Sequence, residues 1–281
     1  MGGEKRARLS ATRRFVAEHP NCCFCAGLRP ASTREHMPPR SMFDRSHRPD
    51  QLVMPACELC NSSTSTADLT ASIVSRWHYG ITETEFEDHA RLAARLRKQA
   101  PEIVAEWLSG ANEPFHASRG RRHLRKNGVD VPLDAQVVTI GPHTIRQLNI
   151  FARKAALALY FEHFRSPLQA PLLYSTGWHT KEDFEARPPI DLLKILPTYA
   201  TLQQGQWSTS DAFGYRFNIN RDEGFFAFSA HLRRGLFVTG FVVPAIHLAD
   251  DDDEWFSPGD LADLVHSPAL AIRQQSGSRS S

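Results

Sequence analysis

The sequence predicts an α+β protein with a cysteine-stapled N-terminal segment, a helical middle and a C-terminal domain built on an antiparallel sheet. Three observations carry this. Residues 20–60 hold two Cys-x-x-Cys pairs, are rich in Pro and Arg, and show no long apolar periodicity, as expected where a metal replaces a hydrophobic core. Residues 62–108 and 144–164 repeat apolar side chains at helical spacing. Residues 213–243 run as short alternating stretches separated by turn residues. With 281 residues and 41% hydrophobic composition, the chain suits one large or two modest domains with a real core.

Residues 1–19 read as a basic helix that carries Lys5, Arg6, Arg8, Arg13 and Arg14 and stops at Pro20. Residues 20–75 form the cysteine-bearing unit. Within it, Ser62 to Ile81 reads as helical, with Asn61, Ser65 and Asp68 at i, i+4 and i+7 on one face. Residues 76–130 join a second helical stretch, Glu85 to Leu108 with a break at Pro101, to a linker punctuated by Gly110, Pro114, Gly120 and Gly128. Residues 131–273 make the C-terminal α+β domain. A helix from Thr144 to Phe164 presents Ile145, Leu148, Phe151, Ala155, Leu159 and Phe161 as its apolar side, and Asp191 to Leu202 reads as a short helix or a strand. A meander then starts at Phe213, with turns at Asn218 to Gly224 and Arg233 to Gly235. Residues 274–281 have the composition of a disordered tail.

The cysteines fall as Cys22-x-x-Cys25 and Cys57-x-x-Cys60. Four thiolates close a tetrahedral Zn2+ site with no open position, which holds a fold and does no chemistry. Cys23 is left over. Pairing it with Cys25 leaves only Phe24 between the thiols, so it reads as a small packed residue. The N-terminal residues have no apolar run of the secretory kind, and no 18-residue uncharged apolar stretch occurs. The expectation is a cytoplasmic protein with reduced thiols and no membrane partner. A net charge of +2 is too small for general attraction to nucleic acid, so any such contact must come from local clusters. Arg119, Arg121, Arg122, Arg125 and Lys126 form one, either a solvated loop or a phosphate-contacting arm.

Glu35 and His36 sit between the two pairs, and Asn61 follows the last cysteine directly. These residue types suit phosphodiester hydrolysis. A positioned imidazole can deprotonate water near neutral pH. A hard divalent ion needs oxygen ligands and keeps several waters, so one carboxylate and one amide oxygen suffice to hold it. Because neighbours on a strand point to opposite faces, Glu35 and His36 would need local twist, or would address the phosphate from two sides.

The runs Arg34-Glu35-His36-Met37-Pro38-Pro39-Arg40-Ser41 and Pro55-Ala56-Cys57-Glu58-Leu59-Cys60-Asn61-Ser62-Ser63 resemble the HNH endonucleases, the His-Me finger or ββα-metal superfamily. Within it they are similar to the four-cysteine zinc group of the phage Holliday-junction-resolving endonucleases. The resemblance covers about residues 20–70 and implies a zinc-stapled ββα-metal finger. It implies His36 as general base, Glu35 and Asn61 as holders of a catalytic Mg2+ or Mn2+, and products with 5′-phosphate and 3′-hydroxyl ends. The middle Asn of the pattern is absent. Asp50 and Gln51 stand nearest its place, which makes Asp50 the candidate for the orienting role. Thr64 occupies the position of a usual basic residue, so Arg34 and Arg40 become the candidates for phosphate contact. The function so implied is a divalent-metal-dependent DNA endonuclease, with RNA as the alternative substrate. By analogy alone it belongs to phage defence or restriction, with a homodimer or a defence-system partner engaged through the C-terminal domain. A non-catalytic zinc module that binds nucleic acid or protein is the competing reading.

Overall fold

In the computed structural model, which describes residues 2–43, 52–78, 82–109, 138–204, 207–248 and 254–266, the basic N-terminal stretch is helical (α1, Gly2–Glu18) and ends before Pro20. The chain then folds back on itself. The Cys22 N–H donates to the Arg29 carbonyl at 3.1 Å, and the Gly27 N–H donates to the Cys22 carbonyl at 2.9 Å. This knuckle turns over a single 3-10 turn, Cys23–Cys25, and reverses through Ala26 and Gly27 in the left-handed region, φ 53° and 77°.

A short antiparallel hairpin follows, β1 (Thr33–His36) against β2 (Val53–Ala56), with Glu35 opposite Met54 and His36 opposite Val53. Two helices come next, α2 (Glu58–Ser63) and α3 (Ser65–Val74). One helix from Ser62 to Ile81 was the expectation. The helix instead begins earlier, because Cys57 caps it, and breaks at Thr64, whose hydroxyl donates to the Cys60 carbonyl at 2.9 Å. Helix α4 (Glu83–Gln99) opens on a reciprocal capping box between Thr82 and Glu85. Helix α5 (Pro101–Ser109) starts at the proline that the sequence marks as a break.

The long helix α6 (Pro142–Phe164) is the centre of the molecule. Every residue from Ile150 to Phe161 is buried, as expected of a helix packed on all sides. Its N-terminus is capped from α5: the Glu106 carboxylate accepts the N–H groups of Gly141, His143 and Thr144 and the Thr144 hydroxyl.

The C-terminal part adds β3 (Leu172–Thr180), α7 (Lys181–Ala186), α8 (Ile190–Lys194) and β4 (Thr198–Thr201). A two-residue ladder, β5 (Gln203–Gln204) with β6 (Trp207–Ser208), precedes β7 (Phe213–Asn220), β8 (Phe225–Leu232) and β9 (Leu236–Pro244), and α9 (Asp260–His266) ends the described chain. The sheet is antiparallel throughout, in the order β3-β9-β8-β7-β4. Its central meander is the expected one. The segment Asp191 to Leu202 resolves into both alternatives, the end of α8 and then β4. Phe226, Phe228 and Val238 join the core around α6, while the alternate residues Phe225, Ala227 and Phe241 pack with Leu192 and Leu196.

The β8–β9 turn reaches the N-terminal segment. The Gly235 N–H donates to the Ser75 carbonyl at 3.0 Å, and a Cβ at Gly235 would lie 2.6 Å from the Val74 carbonyl oxygen, so only glycine fits. Next to it, Arg233 Nε donates to the Met42 carbonyl at 2.8 Å and Nη1 to Glu85 at 3.0 Å. One continuous buried cluster therefore runs from Cys22 to Ala262.

Candidate functional site

The knuckle and the start of α2 bring four buried sulfurs together. Those of Cys22, Cys25, Cys57 and Cys60 all lie within 4.8 Å of one another. A tetrahedral ion with metal–sulfur bonds near 2.3 Å needs sulfurs roughly 3.8 Å apart, so the cluster fits a metal ion. Cys57 has extended backbone at the N-cap of α2, and its Sγ accepts the Cys60 N–H at 3.4 Å. That bond orients the sulfur and would stabilise negative charge on it. Without an ion the four groups compete. A hydrogen bond with Cys25 pushes the Cys22 thiol up to about 12, contacts with Cys22 and Cys25 push Cys60 up, and the bond from Cys22 holds Cys25 far below its ordinary value. A dication bound among them would stabilise all four as thiolates. Cys23 is buried outside the cluster, as its spacing suggests.

A second charged cluster lies on the inner side of β1. Lys154, from the middle of α6, places Nζ 2.7 Å from Glu35 Oε1 and 2.6 Å from Asp68 Oδ2. The lysine side chain is 0% exposed, whereas those of Glu35 and Asp68 retain 14% and 12%. The Phe24 ring lies 5.7 Å from the ammonium. Burial pushes the Glu35 carboxyl up to about 7, with Lys154 opposing and Asp68 reinforcing the shift. Burial alone would lower Lys154, but Asp68 and Glu35 outweigh it and raise the lysine above its ordinary value. Asp68 Oδ1 is buried and has no hydrogen-bond partner among the described residues.

Asn61 stands on α2 and bonds β1. Its Nδ2 donates to Thr33 Oγ1 at 3.0 Å, and that hydroxyl donates in turn to the Ala56 carbonyl at 3.0 Å. The amide nitrogen is thus bonded to β1 and its oxygen remains an acceptor. Carboxylate and amide oxygens such as those of Glu35, Asp68 and Asn61 are the atom types a hard divalent ion takes, and Lys154 already bonds one oxygen of each carboxylate. Strand alternation puts Thr33 and Glu35, which both meet the helices, on one face and Arg34 and His36 on the other. The exposed Arg40 places Nη2 3.0 Å from His36 Nε2. A guanidinium can only donate, so this contact selects the neutral imidazole with its lone pair on Nε2.

The structure thus gathers the four cysteines, links Asn61 to the strand that carries Glu35, and sets Arg40 on His36. Arg34 is half-buried on the same strand. Asp50, Arg119, Arg121, Arg122, Arg125 and Lys126 lie outside the described residues. Sequence reasoning missed Lys154. Its one signal was position: a lysine three residues after Phe151 and four before Ala158, inside the apolar stripe of a helix.

No helix among the described residues is long and apolar enough to cross a membrane. Compared with protein-family models, with curated proteins and with solved structures, the chain matches none.

Proposed function

We propose that the chain is a divalent-metal-dependent DNA endonuclease of the HNH type, with structural zinc on Cys22, Cys25, Cys57 and Cys60 and a ββα-metal finger formed by β1, β2 and α2. The observation that supports this best is the placement of Asn61. Four cysteines tie the knuckle to the start of α2, and from there Asn61 reaches β1 through Thr33, next to Glu35. The hairpin and helix that would have to share a phosphate are therefore fixed to each other.

In this reading His36 takes the proton from the attacking water. Arg40 contacts the imidazole and, being exposed, can turn to the phosphate when DNA arrives. Glu35 and Asn61 would hold the divalent ion, which when bound would supply Lewis-acid stabilisation of the phosphate charge and of the leaving 3′-oxygen. The products carry 5′-phosphate and 3′-hydroxyl ends.

Nicking of supercoiled plasmid in Mg2+, Mn2+ or EDTA tests this. His36→Ala should cut the metal-dependent rate by about 10²–10⁴-fold while zinc content and melting temperature stay unchanged. Equal nicking by both proteins, or none by either, would contradict it. One observation favours a second reading. Lys154 already neutralises Glu35 without any ion, as it would in a zinc-held binding module that does not cleave. That module would bind DNA with strong salt dependence and be indifferent to His36→Ala.

A further inference from the structure

Lys154 comes from α6, outside the segment that carries the cysteines, Glu35, His36 and Asn61, and lies 119 residues from Glu35. It is fully buried, and its ammonium bonds one oxygen of Glu35 and one of Asp68. Asp68 Oδ1, the second oxygen of a carboxylate whose Oδ2 bonds the ammonium, stays buried and unpartnered among the described residues. Once Glu35 is ionised, the two carboxylates and the ammonium together carry one net negative charge. That is enough to attract a cation and too little to hold a dication firmly, because the ammonium repels it at close range in a dry site.

We propose that Lys154 is a positioning residue that acts as a resident cation. It holds Glu35 and Asp68 in place for a divalent ion and weakens their grip on that ion until a phosphodiester arrives. This rests on the nuclease reading above. The charge balance explains the coupling. A dication would leave the cluster with one excess positive charge. A phosphodiester carries one negative charge and restores neutrality, so ion and DNA load together. In free protein, the ammonium bonds both carboxylates and offsets their mutual repulsion.

The test is Mn2+ binding to the full-length protein, read from the electron paramagnetic resonance signal of free Mn2+. Binding is measured in a His36→Ala background so that DNA is not consumed. Lys154→Met should bind Mn2+ about tenfold more tightly or better than the parent, and adding Glu35→Gln should remove the gain. Lys154→Arg should stay as weak as the parent. With Lys154 in place, a short DNA duplex should tighten Mn2+ binding about tenfold after subtraction of binding to DNA alone, and Glu35→Gln should abolish that tightening. This last arm stands even if Lys154→Met does not fold, which zinc content would reveal. Unchanged or weaker Mn2+ binding by folded Lys154→Met, no effect of DNA, or no Mn2+ binding at all overturns the proposal. Metal-dependent nicking without these shifts sinks the role of Lys154 and spares the nuclease. The shifts without nicking do the reverse.

Discussion

The cysteine tetrad and the Glu35–Lys154–Asp68 cluster are both places where the fold gathers acidic groups into a dry interior, and they are neutralised in opposite ways. The tetrad draws all four groups from within the first 60 residues, and its sulfurs could hold an ion. Such an ion would let them keep their charge and would brace the fold around them. The second cluster draws its cation from α6, so its carboxylates are neutralised by the chain itself. One cluster could hold a structural metal, and the other is neutralised by the chain itself.

Breaking the first cluster should have the largest effect. Chelation, or Cys57→Ser, should release the bound metal and lower the melting temperature by more than about 10 °C, since structural sites of this kind contribute on the order of 10 kcal/mol. Circular dichroism melts with metal analysis check this. Breaking the second should matter less but still strongly. Lys154→Ala leaves two buried carboxylates unpaired and should destabilise by about 3–5 kcal/mol in urea titrations. Neutralising the carboxylates as well, in Lys154→Met with Glu35→Gln and Asp68→Asn, should recover most of that loss.

The two clusters also differ in pH response. Glu35 in the folded protein is raised to about 7 from an ordinary 4.5, so the folded state keeps a proton that the unfolded chain has released. Its contribution to stability is greatest below that window and falls as pH rises through it. Glu35→Gln should flatten the change in urea midpoint between about pH 5 and 7. Lys154→Met should move its upper edge higher, because the ammonium opposes the rise. The smallest effect is expected at the bridge between strand and helix. Thr33→Val removes the acceptor of the Asn61 amide and should cost about 1 kcal/mol, read in the same titrations.

What the sequence reveals of these regions follows from how local each is. The tetrad is legible because its spacing within each pair is a property of three adjacent peptide units. The meander is legible because alternation has a period of two, and Phe225-Phe226-Ala227-Phe228 sits between clear turns. Strand β3 was not, since Ser175-Thr176-Gly177 dilutes its alternation and its partner β9 lies some sixty residues on. The early start of α2 was hidden because a cysteine serves as its cap in place of Ser, Thr, Asp or Asn. Glu35, His36 and Asn61 could be named as candidates. That Glu35 meets a lysine from α6 could not, because no local pattern records a contact across 119 residues. The consequence is chemical: a carboxylate that the sequence offers as a bare metal ligand already has a cation.

The most direct measurement is an element-resolved metal count of full-length protein after dialysis against Mn2+ and then against metal-free buffer. The account predicts one zinc per chain, retained in Lys154→Met and lost in Cys57→Ser, and no retained manganese. Protein that holds no zinc, or that holds manganese as firmly as zinc with Lys154 in place, would contradict it.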